Sequence, residues 1–287
     1  MAENGKIFPS LTMKSEHNEI VLRVSSVLLN DYPRLITKEQ IELVTRVGID
    51  EQKAFLYLLR EYAGLENDVF DGYFPHMVRK DNPETYLKDG YFSLDFPSKT
   101  VGKWRLGRET LAPYEVFVRD DFEVDGDKVF PQIGYFSEPY SYPAVYQNDR
   151  LWMSLAPNEI NTSRSPISRA HGKVYTFGLG LGYYAFHVSN KSEVESVTIV
   201  ERDREVIRLF EETLLPQFPH GEKIRIVQAD AFDVLEEGFE ADFVFADIWH
   251  DVGDGLDLYL DMRRYEEKYP NTEFTYWIEK TLKVYER

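Results

Sequence analysis

The stretch Val174–Phe186, VYTFGLGLGYYAF, places glycines at 178, 180 and 182 in an apolar run that turns straight into a helical pattern. Glycine at every second position lets the chain turn at positive φ and leaves a row of backbone N–H groups free to face a ligand. Read this way, the segment is a short strand, a tight turn and a helix. Everything else in the fold is counted outward from it.

Three further apolar runs follow: SVTIVE ending at Glu201, KIRIVQAD ending at Asp230, and ADFVFAD ending at Asp247. Each precedes a segment with helical spacing, clearest after Glu201, where Val206, Ile207 and Phe210 share a face. Short apolar strands separated by helices predict a mostly parallel α/β sheet of Rossmann-like type, wound by right-handed crossovers. Ligands of such sheets collect outside the carboxyl ends of the strands. The four predicted strand ends offer Gly178, Gly180 and Gly182, then Glu201, then Asp230, then Asp247.

In a dinucleotide fingerprint the third glycine lies three residues after the second; here Gly182 lies two after Gly180 and Tyr183 takes the dinucleotide position. A nicotinamide dinucleotide is therefore disfavoured. Glu201 can accept from both hydroxyls of a ribose, or be a solvated charge at the start of the next helix. Asp230 can accept from an exocyclic amine, with Ala231 and Phe232 bordering a base plane, and can also cap the helix that follows.

The segments FGLGLGY, VTIVERD, VQADAF and DFVFADIWHD stand in the order and approximate spacing of one family. Over roughly 115 residues the chain resembles the class I S-adenosylmethionine-dependent methyltransferases, with the spermidine synthase-type aminopropyltransferases as relatives. The resemblance implies S-adenosylmethionine as cofactor. Gly178, Gly180 and Gly182 would face its methionyl part, Glu201 would hold the ribose, Asp230 and Ala231 would meet the adenine, and Asp247 would face the reacting centre; Tyr183, a further cofactor-binding candidate, would line the meeting point with the acceptor beside Asp247 and His250. Two departures stand out: Arg202 follows the ribose acid, where the family often has an apolar residue, and the sheet is expected to be truncated after a fifth strand around EFTYW.

In DIWHDVGDG, a proton acceptor is offered by Asp247, His250 or Asp251, and His250 has the unperturbed pKa best suited to that task. Trp249 is either a wall of the acceptor pocket or a core side chain. The Asn/Asp-Pro-Pro-aromatic signature of exocyclic-amine methylation is absent, since Ile248-Trp249-His250 follow Asp247. Methyl transfer to a small-molecule acceptor, with Asp247 and His250 as the catalytic candidates, is the first expectation. The alternatives are aminopropyl transfer to a polyamine, which an acidic chain would suit, and a methyltransferase-like domain kept as a binding or assembly module. The six histidines lack metal-ligand spacing and DVGDGLDLYLD lacks the ligand order of a calcium loop, so no metal is expected; no P-loop or nucleophile elbow occurs, which leaves phosphoryl transfer and hydrolysis without a starting point.

The first 165 residues match no named family. Residues 1–65 carry helical periodicity in two or three amphipathic segments, a cap or a dimerisation element, so a homodimer is one expected assembly. Residues 66–165 are rich in Tyr, Phe, Pro and Gly and alternate like strands, with hairpins at Asp125-Gly126 and Asn148-Asp149; this β-rich part would cap or bind substrate. Residues 166–287 form the cofactor-binding part, entered through NTSRSPISRAHGK, read as a connecting loop.

The formal net charge is −17, with 13 Lys and Arg against 24 Asp and Glu from Lys173 onward. That balance disfavours nucleic acid and anionic membrane surfaces as partners. The chain has no cysteine, which excludes disulfides and thiolate metal sites. The opening residues show no apolar leader, and a cytoplasmic location is the expectation.

Overall fold

A computed structural model describes residues 16–286. The opening segment read for a leader lies largely outside these residues.

The described chain begins with four helices, α1 (Glu16–Asn30), α2 (Lys38–Thr45), α3 (Glu51–Ala63) and α4 (Asn67–Met77). Their starts follow from local chemistry. Thr37 and Gln40 form a reciprocal capping box on α2, and Asp50 caps α3, which ends at Gly64 in a left-handed conformation. The apolar faces pack on a small sheet of β1 (Val78–Lys80) and two later strands, residues 116–125 and 128–135, and Phe55 stacks on Tyr135 at 3.9 Å. Asn18 is buried in this core without being orphaned: it donates to the Asp127 carbonyl and accepts from Tyr73 Oη and the Val129 N–H.

After the short helix α5 (Glu84–Leu87) come the strands β2 (Thr100–Val101), β3 (Trp104–Leu111), β4 (Val116–Asp125), β5 (Lys128–Tyr135), β6 (Tyr140–Gln147) and β7 (Arg150–Ser154). The two sequence hairpins are present. Asp125 pairs with Lys128 around Gly126 at φ +62°, and Gln147 pairs with Arg150 around Asn148 and Asp149, at φ +51° and +60°. Positive φ at both central residues of the second turn, and at a glycine in the first central position of the first, suits twisted two-residue hairpins. β4 and β5 join the core of the helices, while β2, β3, β6 and β7 form a separate antiparallel sheet. Lys103 ties that sheet to the glycine-bearing half through Asp203, at 2.8 Å.

The segment expected to be a connecting loop is instead helix α6 (Pro157–Arg169), and Ser163 is buried in it. Its buried residues Ile160, Ser163 and Pro166 recur every third position, a stripe that its Ser, Asn and Thr content hid from a compositional reading.

The remaining elements alternate: β8 (Gly172–Phe177), α7 (Tyr183–Ser189), β9 (Val194–Glu201), α8 (Arg204–Thr213), β10 (Ile224–Gln228), α9 (Ala231–Glu237), β11 (Phe243–Ala246), α10 (Val252–Arg263), β12 (Glu273–Tyr276) and α11 (Glu279–Glu286). The five strands form one all-parallel sheet in the order β10-β9-β8-β11-β12. This is the Rossmann-like α/β fold. The first strand is central and the chain reverses direction of growth between β8 and β11, so a crevice opens there at the carboxyl ends. Among the described residues this sheet ends with β12, the expected fifth strand.

Candidate functional site

The glycine turn is built by contact with neighbours as much as by φ. Gly178, Gly180 and Gly182 stand at φ +98°, +51° and +75°. A Cβ on Gly178 would lie 2.0 Å from the Asp247 carbonyl oxygen, one on Gly180 2.3 Å from Met153 Sδ, and one on Gly182 2.4 Å from the Phe210 ring. At Gly178 the obstacle is backbone and at Gly182 a ring, whereas at Gly180 it is the end of a flexible side chain and the positive φ is the stricter demand.

The expected row of free N–H groups is not there. Gly178 donates to Val200, Leu179 to Glu201, Leu181 to Met153 Sδ and Gly182 to the Leu179 carbonyl. Gly180 alone in this turn keeps an N–H without a partner among the described residues. A turn this tight closes on itself and on β7, which the spacing of the glycines could not show.

Around the turn lies a cavity of about 320 Å³, within the range of roughly 300–1,000 Å³ usual for small-molecule sites. Gly178, Gly180, Glu201, Asp230, Ala231, Asp247 and His250 all line it, although they come from four separate strand ends. Gly182 and Tyr183 do not. Gly182 seats α7 against Phe210, and Tyr183 turns to donate to Asp89 at 2.7 Å, reaching only a smaller recess beneath the turn.

Glu201 accepts the N–H of Leu179 at 3.2 Å and of Asp203 at 2.8 Å. Burial pushes its carboxyl above the ordinary range, while these N–H groups pull it back. Each oxygen still has a lone pair for a ligand hydroxyl. Asp230 caps α9 through the Phe232 N–H at 2.9 Å and lines the cavity as well, so both sequence readings hold together. Beside it, Ala229, Ala231, Phe232, Ile248 and Leu258 make an apolar slot suited to a flat base.

Asp247 follows directly on β11 with its side chain half-buried, and desolvation raises its pKa to about 7. A neighbouring carboxyl was not legible in the sequence: Glu159, on α6. Burial first, and the Asp247 charge second, hold the Glu159 carboxyl well above the carboxylate range. Both residues line the cavity and the recess below it, and neither side chain makes a hydrogen bond or ion pair with a described residue.

His250 sits at the rim. Its Nδ1 lies 2.9 Å from Asp254 Oδ2, and its ring meets Trp152 edge-on at 4.1 Å. Asp254 also accepts the N–H groups of His250 and Asp251 in the capping box of α10. Asp251 is thus the N-cap of α10 and does not line the cavity. Trp249 does line it, yet is 5% exposed and packs against Gly255; wall and core readings both apply.

Trp152 and Met153 from β7, Glu159 from α6 and Trp277 after β12 also line the cavity. Sequence reasoning missed all four: Trp152, Met153 and Glu159 lie outside the recognised strand ends, and Trp277, at the end of the expected fifth strand, was not read as a site residue. Among the described residues no group of His, Asp and Glu is arranged to hold a metal ion.

No family model and no curated protein matches this chain. Solved structures do. Spermidine synthase from Thermotoga maritima aligns at 17% identity and TM-score 0.34, covering 47% of this chain and 49% of that one. A spermidine synthase in complex with the transition state analogue AdoDATO aligns at 16% identity and TM-score 0.36, over 50% and 53%. Trm5b from Pyrococcus abyssi aligns at 12% identity and TM-score 0.30, over 52% and 54%. The chain thus spans about half the length of the solved proteins it is similar to.

Proposed function

We propose that this protein binds S-adenosylmethionine and transfers its methyl group to a small-molecule acceptor. The observation that carries the reading is the convergence of four strand ends of a parallel sheet on one cavity: the glycine turn, Glu201, Asp230 with Ala231, and Asp247. Glu201 would accept the ribose hydroxyls, and the slot from Ala229 to Phe232 with Ile248 and Leu258 would hold the base. The donor, when bound, supplies a methyl group already activated on a sulfonium, so the protein's task is alignment and, where the acceptor carries a proton, its removal. Asp247 faces that position from the strand end, with His250 at the rim as the second candidate.

One observation favours a second reading. Among the described residues the turn offers one unpartnered N–H, at Gly180, and the cationic or basic side chains lining the cavity are Arg202 and His250. A donor arm without a carboxylate would suit this better than a methionyl arm, and aminopropyl transfer to an amine uses such a donor.

Calorimetric titration with S-adenosylmethionine, S-adenosylhomocysteine, decarboxylated S-adenosylmethionine and NAD tests both. Micromolar binding of the first two supports methyl transfer; binding of the decarboxylated donor alone supports the second reading. Silence from every sulfur nucleoside withdraws both.

A further inference from the structure

We propose that Met153, carried into the cavity by β7, is a specificity-determining residue. Its thioether holds the place beside Gly180 and Leu181 that the carboxylate of an amino-acid arm would take, so an arm with a carboxylate binds only by displacing it. This selection rests on the nucleoside reading above and deepens it by naming the side chain that discriminates between the two donors.

Met153 reaches the site through an irregularity of its strand. β7 is an edge of the sheet ordered β2-β3-β6-β7, and its pairing with β6 slips between Val145↔Met153 and Tyr146↔Leu151, which leaves Trp152 as an extra residue. In a regular strand neighbouring side chains point to opposite faces, and a bulge re-aims one of them. Trp152 and Met153, consecutive in sequence, accordingly both line the cavity, and Met153 also lines the recess beneath the glycine turn. A sheet outside the glycine-bearing half thus sets one flexible side chain at the border of both spaces.

The contacts of its sulfur define what it excludes. Sδ accepts the Leu181 N–H at 3.3 Å and stands 2.3 Å from where a Cβ on Gly180 would lie. The N–H groups of Gly178, Leu179 and Gly182 are committed to the Val200 carbonyl, the Glu201 carboxylate and the Leu179 carbonyl. A carboxylate entering the turn therefore has the adjacent N–H groups of Gly180 and Leu181 to bond, and Met153 covers the second of them. A thioether is a weak acceptor on a flexible stem, so it yields to a better one, at a cost in its own packing. An arm that ends without a carboxylate makes no claim on these N–H groups and leaves Met153 where it is. A carboxylate that fails to move Met153 is left beside Glu159 and Asp247, which border both spaces and repel an anion when ionised.

The experiment titrates methylthioadenosine, S-adenosylhomocysteine and decarboxylated S-adenosylhomocysteine into the wild type, Met153→Ala and Met153→Leu. The last two probes differ by the carboxylate alone, so the ratio of their affinities reads what the carboxylate costs; methylthioadenosine has no amino-acid arm and reports that the nucleoside site persists. Met153→Ala is expected to shift the ratio at least fivefold toward S-adenosylhomocysteine and to leave methylthioadenosine within twofold. Met153→Leu keeps most of the bulk and is expected to keep the wild-type ratio; a shift there as large as in the Ala variant also upholds selection by Met153 and assigns it to the sulfur's hydrogen bond. Should Met153→Ala fail to fold in thermal melts, Met153→Val, shorter than Met and suited to a strand, carries the same expectation at smaller amplitude. An unchanged ratio in the shortened variant, or three affinities that move together, overturns the selection, makes Met153 a packing residue and leaves the nucleoside reading standing. Silence of all three probes in the wild type and in every variant removes the nucleoside reading and this inference with it.

Discussion

Glu201 and Leu179 are joined by a hydrogen bond of 3.2 Å from the Leu179 N–H to the carboxylate, so the ribose candidate also holds the glycine turn in place. Replacing Glu201 by Ala therefore removes a ligand contact and a brace at once. The expected loss in S-adenosylhomocysteine affinity is about 1.5–3 kcal/mol, the size of a hydrogen bond to a charged group. Calorimetry on Glu201→Ala checks it, and an unchanged affinity would take Glu201 out of the site.

Gly178 and the Asp247 carbonyl set the second expectation. Gly178→Ala places a Cβ 2.0 Å from that oxygen at a φ of +98°, so strain and overlap add. A destabilisation of about 2–4 kcal/mol is expected, with displacement of the Asp247 strand end. Gly180→Ala meets instead the flexible Met153 Sδ, and Met153→Ala in the same chain should recover part of its loss. Equal, unrescuable losses at the two positions in thermal melts would contradict the distinction.

Asp247 makes stability depend on pH. Its folded pKa, about 7, lies above the unfolded value near 3.8, so the native state holds the extra proton between those values. Stability is highest below that window, falls as pH rises through it, and carries the full cost above about 7. Glu159, also raised, acts in the same sense. Asp247→Asn should gain about 1–3 kcal/mol over the wild type at pH 8, the size of one uncompensated buried polar group, and little at pH 4. Melting temperatures at both pH values measure this; an Asn variant that is no more stable at pH 8 than at pH 4, relative to the wild type, would contradict it.

The last helix is pinned through Thr281. Its Oγ1 donates to Asp121 at 2.7 Å and accepts the Phe122 N–H at 3.0 Å, while its own N–H reaches Asp121 at 3.1 Å. Thr281→Val keeps the shape and leaves the Phe122 N–H orphaned. A loss of about 1–3 kcal/mol is expected in denaturant unfolding, and a neutral result would show that water replaces the hydroxyl.

Fluorescence offers a direct readout. Trp152, Trp249 and Trp277 line the cavity and Trp104 does not. A nucleoside entering should change tryptophan emission, with the change reduced in Trp277→Phe. Full amplitude in a Trp152→Phe, Trp249→Phe, Trp277→Phe triple variant would place the ligand elsewhere.

Much of the sheet was readable locally. Val197, Ile199 and Val200, like Phe243 to Ala246, are apolar along the strand because both faces of a parallel sheet are covered, and their last residues mark the crevice by rule. The two hairpin turns were equally local, since Gly126, Asn148 and Asp149 tolerate positive φ. Tyr183 shows the limit: its place beside three glycines suggested a ligand contact, yet Asp89, ninety-four residues earlier, takes its hydroxyl.

The sequence by itself determined the strand order of residue types, the glycine turn, and the acids at the ends of three strands, because these depend on periodicity and on backbone rules that act over a few residues. Only the tertiary structure decided that the turn's N–H groups are spent on Val200, Glu201 and Met153, and that Glu159 meets Asp247 across the crevice. Burial and the pairing of distant side chains depend on how helices and sheets dock, and a carboxylate's charge state follows from that docking, which no local spacing encodes.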